Sequence, residues 1–354
     1  MASYFTNYFQ ILCSCVLIAL LSNLCVSEAQ DYPPVAEGLS LTFYDTSCPD
    51  LEATVRKQLE EEFTQDIGQA AGLLRLHFHD CFVQGCDASV LLDGSASGPG
   101  DTEQDAPPNL TLRAKAFEIV DKIRGLVHEL CGAVVSCADI VALSARDSIV
   151  LSGGPDYKVP LGRRDGLSFA TRNDTLANLP PPFANASSIL SALANKSLDA
   201  TDTVALSGAH TIGKAHCSSF TDRLYPQDPT MDETFATDLI GICPENSTVD
   251  GTTDQDFRSP DDFDNKYYVN LVNRQGLFTS DQDLFTDSTT SDIVTSFANN
   301  QTLFFEKFVI AMLKMGQMGV VTGTDGEIRT NCSAKNSDTT LLSTLVDVAG
   351  ELNY

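Results

Sequence analysis

The cysteines constrain the fold of this chain more than any other residue type. Of the 11 cysteines, three lie in an apolar N-terminal segment, at Cys13, Cys15 and Cys25. The remaining eight are Cys48, Cys81, Cys86, Cys131, Cys137, Cys217, Cys243 and Cys332. None of them forms a C-x-x-C pair, the spacing typical of zinc ribbons. In an exported chain an even number favours four disulfides over a metal cluster or free thiols, although the sequence alone does not select the pairing.

The N-terminal segment has the pattern of a secretory signal. Residues 1–29 carry a single charged side chain and contain an apolar run at 11–21. Small residues flank Glu28, as a signal peptidase prefers, so we expect the mature chain to begin at Gln30. The alternative is a membrane anchor, but no basic residues follow the apolar run. Seven N-x-S/T sequons agree with export through a glycosylating compartment: Asn109, Asn173, Asn185, Asn195, Asn246, Asn300 and Asn331.

The charge balance excludes one large class of partner. The chain has a formal net charge of -26, and its pI is near 4.3. Nucleic acid binding requires clusters of lysine and arginine, and no basic run is present. We therefore expect no nucleic acid partner.

The hydrophobic spacing predicts a mainly α protein. Apolar residues recur at intervals of three and four in four segments, 114–128, 138–151, 198–207 and 292–314. The two-residue alternation of strands is scarce. Glycine, proline and aspartate interrupt the pattern at 93–108, 178–182 and 247–264. After Cys332 a separate apolar stripe at 341–348 indicates an appended C-terminal segment.

The segment from Leu73 to Cys81 can be interpreted in two ways. As a strand it would place Arg75, His77 and His79 on one face, and an H-x-H pair suits zinc. As a helix it places Arg75 and His79 on one face and turns His77 away. Alanine and leucine are frequent here and β-branched residues are nearly absent, which favours the helix. A cation one turn from an imidazole suits proton removal with stabilisation of developing negative charge.

A second segment places a lone histidine at a break in an apolar helix. His210 follows Gly208 at the end of the periodic segment 198–207, a pattern typical of a satisfied core histidine. The chain has five histidines, of which His128 lies in a plain amphipathic segment and His216 adjoins a cysteine. A histidine-bound cofactor must therefore draw on the other three.

Several motifs together resemble one family. Residues 75–83 (RLHFHDCFV) and 85–89 (GCDAS) resemble the distal-helix signature of the secretory plant (class III) haem peroxidases. Residues 205–211 (ALSGAHT) resemble the proximal signature. Further matches follow in the family's order: SCAD at 136–139, LGRRD at 161–165, FDNKYY at 263–268 and Ser280-Asp281. The similarity runs from about residue 41 to Cys332 and covers nearly all of the mature chain.

The resemblance implies a fold and an activity. The fold would be mainly α and two-lobed, with haem between distal and proximal helical domains. The expected domains are a signal peptide at 1–29, a haem peroxidase domain at 30–335 and a C-terminal extension or propeptide at 336–354. The enzyme would use haem b and two calcium ions. It would reduce hydrogen peroxide to water while oxidising two molecules of a phenolic donor to radicals.

The resemblance also implies roles for individual residues. His210 would be the axial ligand of the haem iron through Nε2, with Asp281 accepting its other N–H. His79 would take a proton from peroxide and return it to the departing oxygen, while Arg75 stabilises charge. Asn109 would keep the His79 imidazole basic.

Three further expectations concern access to the site. Asn109 would be buried, so its sequon is expected to carry no glycan. Phe78 would screen the iron from bulky donors. These donors would instead deliver electrons at the haem edge near Pro180.

Oxygen-rich segments resemble the calcium sites of the family. The distal ligands would be the side chains of Asp80, Asp87 and Ser89 with the carbonyls of Val83 and Gly85. The proximal ligands would be Thr211, Asp256, Ser259 and Asp264, with a carbonyl near Asp262. Because Thr211 adjoins His210, loss of calcium is expected to loosen the iron site.

The resemblance further implies a set of long-range contacts. The disulfides would join Cys48 to Cys131, Cys81 to Cys86, Cys137 to Cys332 and Cys217 to Cys243. Asp139 and Arg163 would form a buried ion pair, the alternative being a surface pair of little energetic value. The chain lacks tryptophan, and Tyr157 stands where the family commonly has one. This difference should affect packing more than catalysis.

Two other functional classes remain open from the residues alone. A secreted zinc hydrolase would use His77, His79 and His210, and a glycosylated wall protein would keep the fold without haem. The signal predicts secretion to the cell exterior or wall, without stable membrane insertion after cleavage. We also expect a monomer. The extension at 336–354 resembles propeptides that direct some family members to the vacuole.

Overall fold

Twelve α-helices build the part of the chain that the computed structural model describes, residues 32–93 and 102–337. In chain order they are α1 (Leu51–Gln65), α2 (Gln69–Val83), α3 (Ala114–Cys131), α4 (Cys137–Leu151), α5 (Arg172–Asn178), α6 (Ala186–Ala194), α7 (Ala200–Ser207), α8 (Glu233–Ile242), α9 (Lys266–Val272), α10 (Thr279–Thr286), α11 (Ser291–Asn299) and α12 (Gln301–Met315). Strands β1 (Lys214–His216) and β2 (Thr252–Asp254) pair antiparallel, with Ala215 opposite Thr253. The predicted mainly α fold is confirmed.

Three predicted features lie outside the described residues. They are the signal peptide at 1–29, the glycine-rich stretch at 95–100 and the C-terminal extension beyond residue 337. Among the helices that are described, none is long and apolar enough to cross a membrane.

Helix α2 decides between the two interpretations of the segment that contains Arg75. Its alanines and leucines form a continuous helix, so Arg75 and His79 lie one turn apart and the strand interpretation is wrong. The helix packs mainly on α4, whose residues 137–149 are all buried. Ser136 caps α4 by accepting a hydrogen bond from the Asp139 amide at 3.1 Å. Helix α2 is therefore supported by a helix that is buried along most of its length.

The predicted helix at 292–314 is two helices. Asn300 separates α11 from α12, with extended backbone (φ -143°, ψ 93°). Its side chain accepts a hydrogen bond from the Leu303 amide at 3.1 Å and caps α12. Apolar spacing alone misses this break, because asparagine favours the cap over the helix interior through local hydrogen bonding.

Covalent and ionic contacts connect distant parts of the chain. The structure has the four disulfides that the resemblance implies, including the long-range Cys137–Cys332 bridge. Arg163 Nη1 donates to Asp139 Oδ1 at 2.8 Å, and both side chains are buried, so the surface alternative is wrong. Tyr157 lines a small cavity together with His77 and Arg163.

Candidate active site

The distal part of the site is a chain of hydrogen bonds that starts on α2. Arg75 Nε donates to His79 Nε2 at 3.1 Å, and His79 Nδ1 lies 2.5 Å from Asn109 Oδ1. Because a guanidinium only donates, Nε2 is the acceptor and Nδ1 carries the proton. Asn109 Oδ1 accepts a hydrogen bond from this Nδ1–H, and Asn109 Nδ2 donates to the Glu103 carbonyl at 2.6 Å. This arrangement fixes the tautomer of His79 with its basic nitrogen toward Arg75.

The turn at 108–111 holds the guanidinium of Arg75. Its Nη1 donates to the Thr111 carbonyl at 2.9 Å, and its Nη2 donates to the Pro108 carbonyl at 2.9 Å and to Thr111 Oγ1 at 3.0 Å. Thr111 is a residue that sequence reasoning missed, since we interpreted it only as the third position of the Asn109 sequon. The whole sequon thus serves the distal site: one residue orients His79 and another holds Arg75.

Burial and charge keep His79 neutral. Desolvation and the nearby charge of Arg75 lower the pKa of His79 to about 3, despite the opposing effect of the hydrogen bond that His79 donates to Asn109. Desolvation also lowers the pKa of Arg75 to about 10, which leaves it charged at neutral pH. The neutral imidazole can therefore accept a proton, while the neighbouring Arg75 cation can stabilise the negative charge that develops.

Phe78 lies beside this pair. Its ring is half-buried, 5.3 Å from the His79 ring at an interplanar angle of 84° and 4.4 Å from the Phe82 ring. The predicted screen is therefore adjacent to the distal imidazole.

The proximal part of the site begins where α7 ends. His210 lies in a short 3₁₀ turn, Gly208–Thr211. Only glycine fits at position 208, because a side chain there would collide with the Tyr268 hydroxyl and the Phe304 ring. Its Nδ1 lies 2.7 Å from Asp281 Oδ1, on α10. The His210 side chain is 41% exposed, and no hydrogen bond among the described residues uses its Nε2. This nitrogen therefore has a free lone pair with the chemistry that haem iron requires, so the residue fits an axial ligand.

Asp281 connects the proximal turn to several elements. The carboxylate is 2% exposed and accepts from Tyr267 Oη at 3.0 Å and from the Phe278 amide at 3.0 Å. Nearby, the Ser280 amide donates to the Pro182 carbonyl at 2.9 Å, which ties α10 to the proline run that contains the half-buried Pro180. Tyr267 is a second residue whose role sequence reasoning missed, although it lies within a matched motif.

The distal calcium ligands include buried oxygens that lack donors. Among the described residues, Asp80 Oδ1, Ser89 Oγ and Glu103 Oε1 are buried without a hydrogen bond. Burial raises the pKa values of both Asp87 and Glu103, and the nearby Ser89 hydroxyl opposes that rise. Desolvation and the charge of Asp87 raise the pKa of Asp80 well above its usual range. Unpaired oxygens and crowded carboxylates are what a hard cation satisfies, so these residues fit calcium.

The two predicted carbonyl ligands, Val83 and Gly85, lie where helix α2 ends. Val83 ends α2, and Gly85 follows at φ +123°, where a side chain would meet the Gly319 carbonyl. Only glycine adopts this conformation without strain. The chain therefore turns back toward Asp87 directly after the helix that carries Arg75.

The four proximal ligand side chains also lie together. Thr211 Oγ1 is 3.4 Å from Asp256 Oδ2 and 3.3 Å from Asp264 Oδ1, and Ser259 Oγ is 3.0 Å from Asp264 Oδ2. Within 32–93 and 102–337, no group of three or more histidine, cysteine or acidic side chains is arranged to hold a metal.

Comparison with known proteins agrees with this geometry. The sequence model of the family described as "Peroxidase" matches residues 55–300. Peroxidase 12 of Arabidopsis thaliana is 63% identical over 305 residues, which cover 86% of this chain and 84% of that protein. Cationic peroxidase SPC4 of Sorghum bicolor is 59% identical, covering 90% and 88%. The lignin-forming anionic peroxidase of Nicotiana tabacum is 44% identical, covering 84% and 93%.

The chain belongs to the peroxidase family. The resemblance to the secretory plant haem peroxidases is confirmed, and the protein is a haem-dependent peroxidase that reduces hydrogen peroxide and oxidises phenolic donors. Its cofactors are haem b and two calcium ions. The zinc hydrolase and the non-catalytic wall protein are therefore the wrong classes for this peroxidase.

The sequons of the peroxidase divide by exposure. Asn109 is 4% exposed and both ends of its amide are used, as expected for a sequon without a glycan. The other six asparagines are exposed: Asn173, Asn185, Asn195, Asn246, Asn300 and Asn331.

Proposed function

We propose that Arg75, His79 and Asn109 form the site at which peroxide is cleaved, and that His210, oriented by Asp281, would hold the haem iron. The observation that carries this assignment is the tautomer of His79. With Asn109 accepting from Nδ1, the neutral imidazole keeps a basic Nε2 next to a cation.

Haem, when bound, supplies the iron that exchanges electrons with peroxide and with the donor. His79 accepts a proton at Nε2 from one peroxide oxygen and delivers it to the other, which leaves as water. Arg75 donates hydrogen bonds to the oxygen that gains negative charge. In total, one hydrogen peroxide and two phenols become two waters and two phenoxyl radicals.

The supporting residues have separate tasks in this proposal. Asn109 prevents the imidazole from rotating, and Phe78 covers the approach to it. Phenolic donors enter at the edge near Pro180, which the Ser280 hydrogen bond to Pro182 holds against α10. The distal calcium ligands are Asp80, Val83, Gly85, Asp87 and Ser89, and the proximal ones are Thr211, Asp256, Ser259 and Asp264.

We also propose that the protein is exported and acts as a monomer. Four disulfides and six exposed sequons support passage through an oxidising, glycosylating compartment. The segment at 336–354 would decide between the cell exterior and the vacuole. Deletion of this segment from a fluorescent fusion tests that role, because an unchanged destination would contradict it.

An absorption spectrum of the purified protein, with and without peroxide, tests the assignment of the iron ligand. We expect a Soret band that shifts on addition of peroxide, and H210A should lose the wild-type band. H128A is the matched control, because His128 is exposed on α3 and should leave the band unchanged. A wild-type band in H210A would contradict the axial role of His210.

A further inference from the structure

The carboxylate of Asp281 accepts hydrogen bonds from other protein groups in addition to the one from His210. Oδ1 accepts from both His210 Nδ1 at 2.7 Å and Tyr267 Oη at 3.0 Å. Oδ2 accepts from the Phe278 amide at 3.0 Å and from Gln255 Nε2 at 3.4 Å. Because the side chain is 2% exposed, water contributes little, and these four protein donors set the basicity of the carboxylate.

We infer that Tyr267 is a positioning residue that sets how strongly Asp281 attracts the proton of His210. A hydrogen bond to a carboxylate stabilises its charge and makes it a weaker acceptor for other donors. Tyr267 donates to the same oxygen as His210, so the two protons compete directly for it. The inference rests on the proposed role of His210 as iron ligand.

The consequence reaches the iron through the imidazole. A strongly accepting carboxylate gives the ring imidazolate character, which makes Nε2 a stronger electron donor and favours oxidised iron. By weakening Asp281, Tyr267 limits this donation. The hydroxyl of Tyr267 therefore adjusts the redox balance of the haem without touching it.

The surroundings of Tyr267 suit a permanent donor. Burial and the charge of Asp281 raise its pKa well above the usual range, so the phenol stays protonated at any working pH. Its ring lies 6.0 Å from the His210 ring at 86° and 5.0 Å from the Tyr268 ring. These ring contacts hold the hydroxyl in one place.

The test compares Y267F with Y268F in the haem-loaded, calcium-loaded protein. Both tyrosines lie on α9 and are buried, and each phenylalanine removes one hydroxyl that makes a buried hydrogen bond. Tyr268 Oη donates to the Val204 carbonyl at 2.9 Å and makes no bond to Asp281. The pair thus separates the effect on Asp281 from the general cost of a lost buried hydrogen bond.

Two measurements report the electron donation of His210. They are the iron–histidine stretching frequency of the ferrous protein and the ferric/ferrous midpoint potential. We expect Y267F to raise the frequency and to favour ferric protein about threefold to tenfold at a fixed potential, which is less than the full worth of a hydrogen bond to a charged carboxylate. Y268F should change neither. No shift in Y267F, or an equal shift in both variants, would overturn the inference.

The D281N background tests whether Tyr267 acts through Asp281. Once the carboxylate is neutral, Y267F should add no further shift, and an additive shift would overturn the inference. The wild-type protein separates this outcome from a failure of the proposed function. If it shows no iron–histidine band, the axial role of His210 and this inference fall together, whereas a band that Y267F leaves unmoved overturns the inference alone.

Discussion

The oxygens that are expected to bind calcium differ between the distal and proximal sides in whether protein groups already donate hydrogen bonds to them. On the distal side Asp80 Oδ1 and Ser89 Oγ are buried without donors, although Asp80 Oδ2 and Asp87 Oδ1 accept from the backbone amides of Ala88 and Ser89. On the proximal side the carboxylates already have protein donors: Asp256 Oδ1 accepts from Asn270 Nδ2 at 2.8 Å, and Asp264 Oδ1 accepts from the Lys266 amide at 2.7 Å. Buried acceptors without donors are costly, so the distal segment depends on its cation more than the proximal one does.

This difference changes where calcium removal should act. The sequence suggested an effect through Thr211, the neighbour of His210. The structure points more strongly to Asp80, which adjoins His79 on α2 and whose pKa is raised well above its usual range by burial and by Asp87. Loss of the distal ion leaves these carboxylates in mutual repulsion directly beside the distal histidine.

The largest expected effect is on the rate of reaction with peroxide, and it distinguishes the role of His79 from that of His210. H79L should lower the rate of reaction with peroxide by about 10²- to 10⁴-fold, the range typical for loss of a general acid–base group. Because His79 does not hold the iron in our assignment, the Soret band should remain, whereas H210A should lose it. Stopped-flow kinetics and absorption spectra of the two variants measure both properties. A full reaction rate in H79L would contradict the division of roles.

The sequence predicted the distal pair better than the proximal one, for a physical reason. Arg75 and His79 lie four residues apart, so the local choice of helix alone brings them to one face. His210 and Asp281 are 71 positions apart. Their contact depends on how the tertiary fold brings the 3₁₀ turn after α7 to helix α10, which no local pattern reports, and it was expected only through the family resemblance.

Other contacts in the site were missed for the same reason. Thr111 reaches Arg75 across 36 positions, and nothing in its local sequence distinguishes it from an ordinary glycosylation threonine. The fold class required only the spacing of apolar residues, although that spacing did not reveal the break at Asn300. Periodicity thus predicts which faces are buried, while the partners of polar side chains depend on tertiary packing.

A second prediction concerns how the stability of the calcium-free protein changes with pH. Burial raises the pKa of Glu103, beside the distal ligands, to about 7 in the absence of calcium. A carboxylic acid whose pKa is raised in the folded state destabilises that state as it ionises. Calcium-free protein should therefore lose stability as pH rises from about 4.5 to about 7, by on the order of 3 kcal/mol for this group.

Thermal or urea unfolding of calcium-free protein at several pH values measures this loss. E103Q is the control, since it removes the ionising group and should flatten the upper part of the curve. Calcium should stabilise the wild-type protein more at pH 7 than at pH 4.5, because protons compete with the cation for the carboxylates. If the stability of the calcium-free wild type instead rose between pH 4.5 and pH 7, the prediction for Glu103 would be wrong.

The smallest expected effect comes from one hydroxyl on each side, compared in S89A and S259A. Ser89 Oγ makes no hydrogen bond in the described structure, so S89A should leave calcium-free protein within about 0.5 kcal/mol of wild type, whereas with calcium it should cost about 1–3 kcal/mol. Ser259 Oγ already donates to Asp264, so S259A should cost about 0.5–1.5 kcal/mol even without calcium. Unfolding of both variants with and without the cation measures the four values. We therefore expect the Ser89 hydroxyl to stabilise only the calcium-bound protein, whereas the Ser259 hydroxyl also stabilises the calcium-free protein. Equal costs for S89A with and without calcium would contradict this difference.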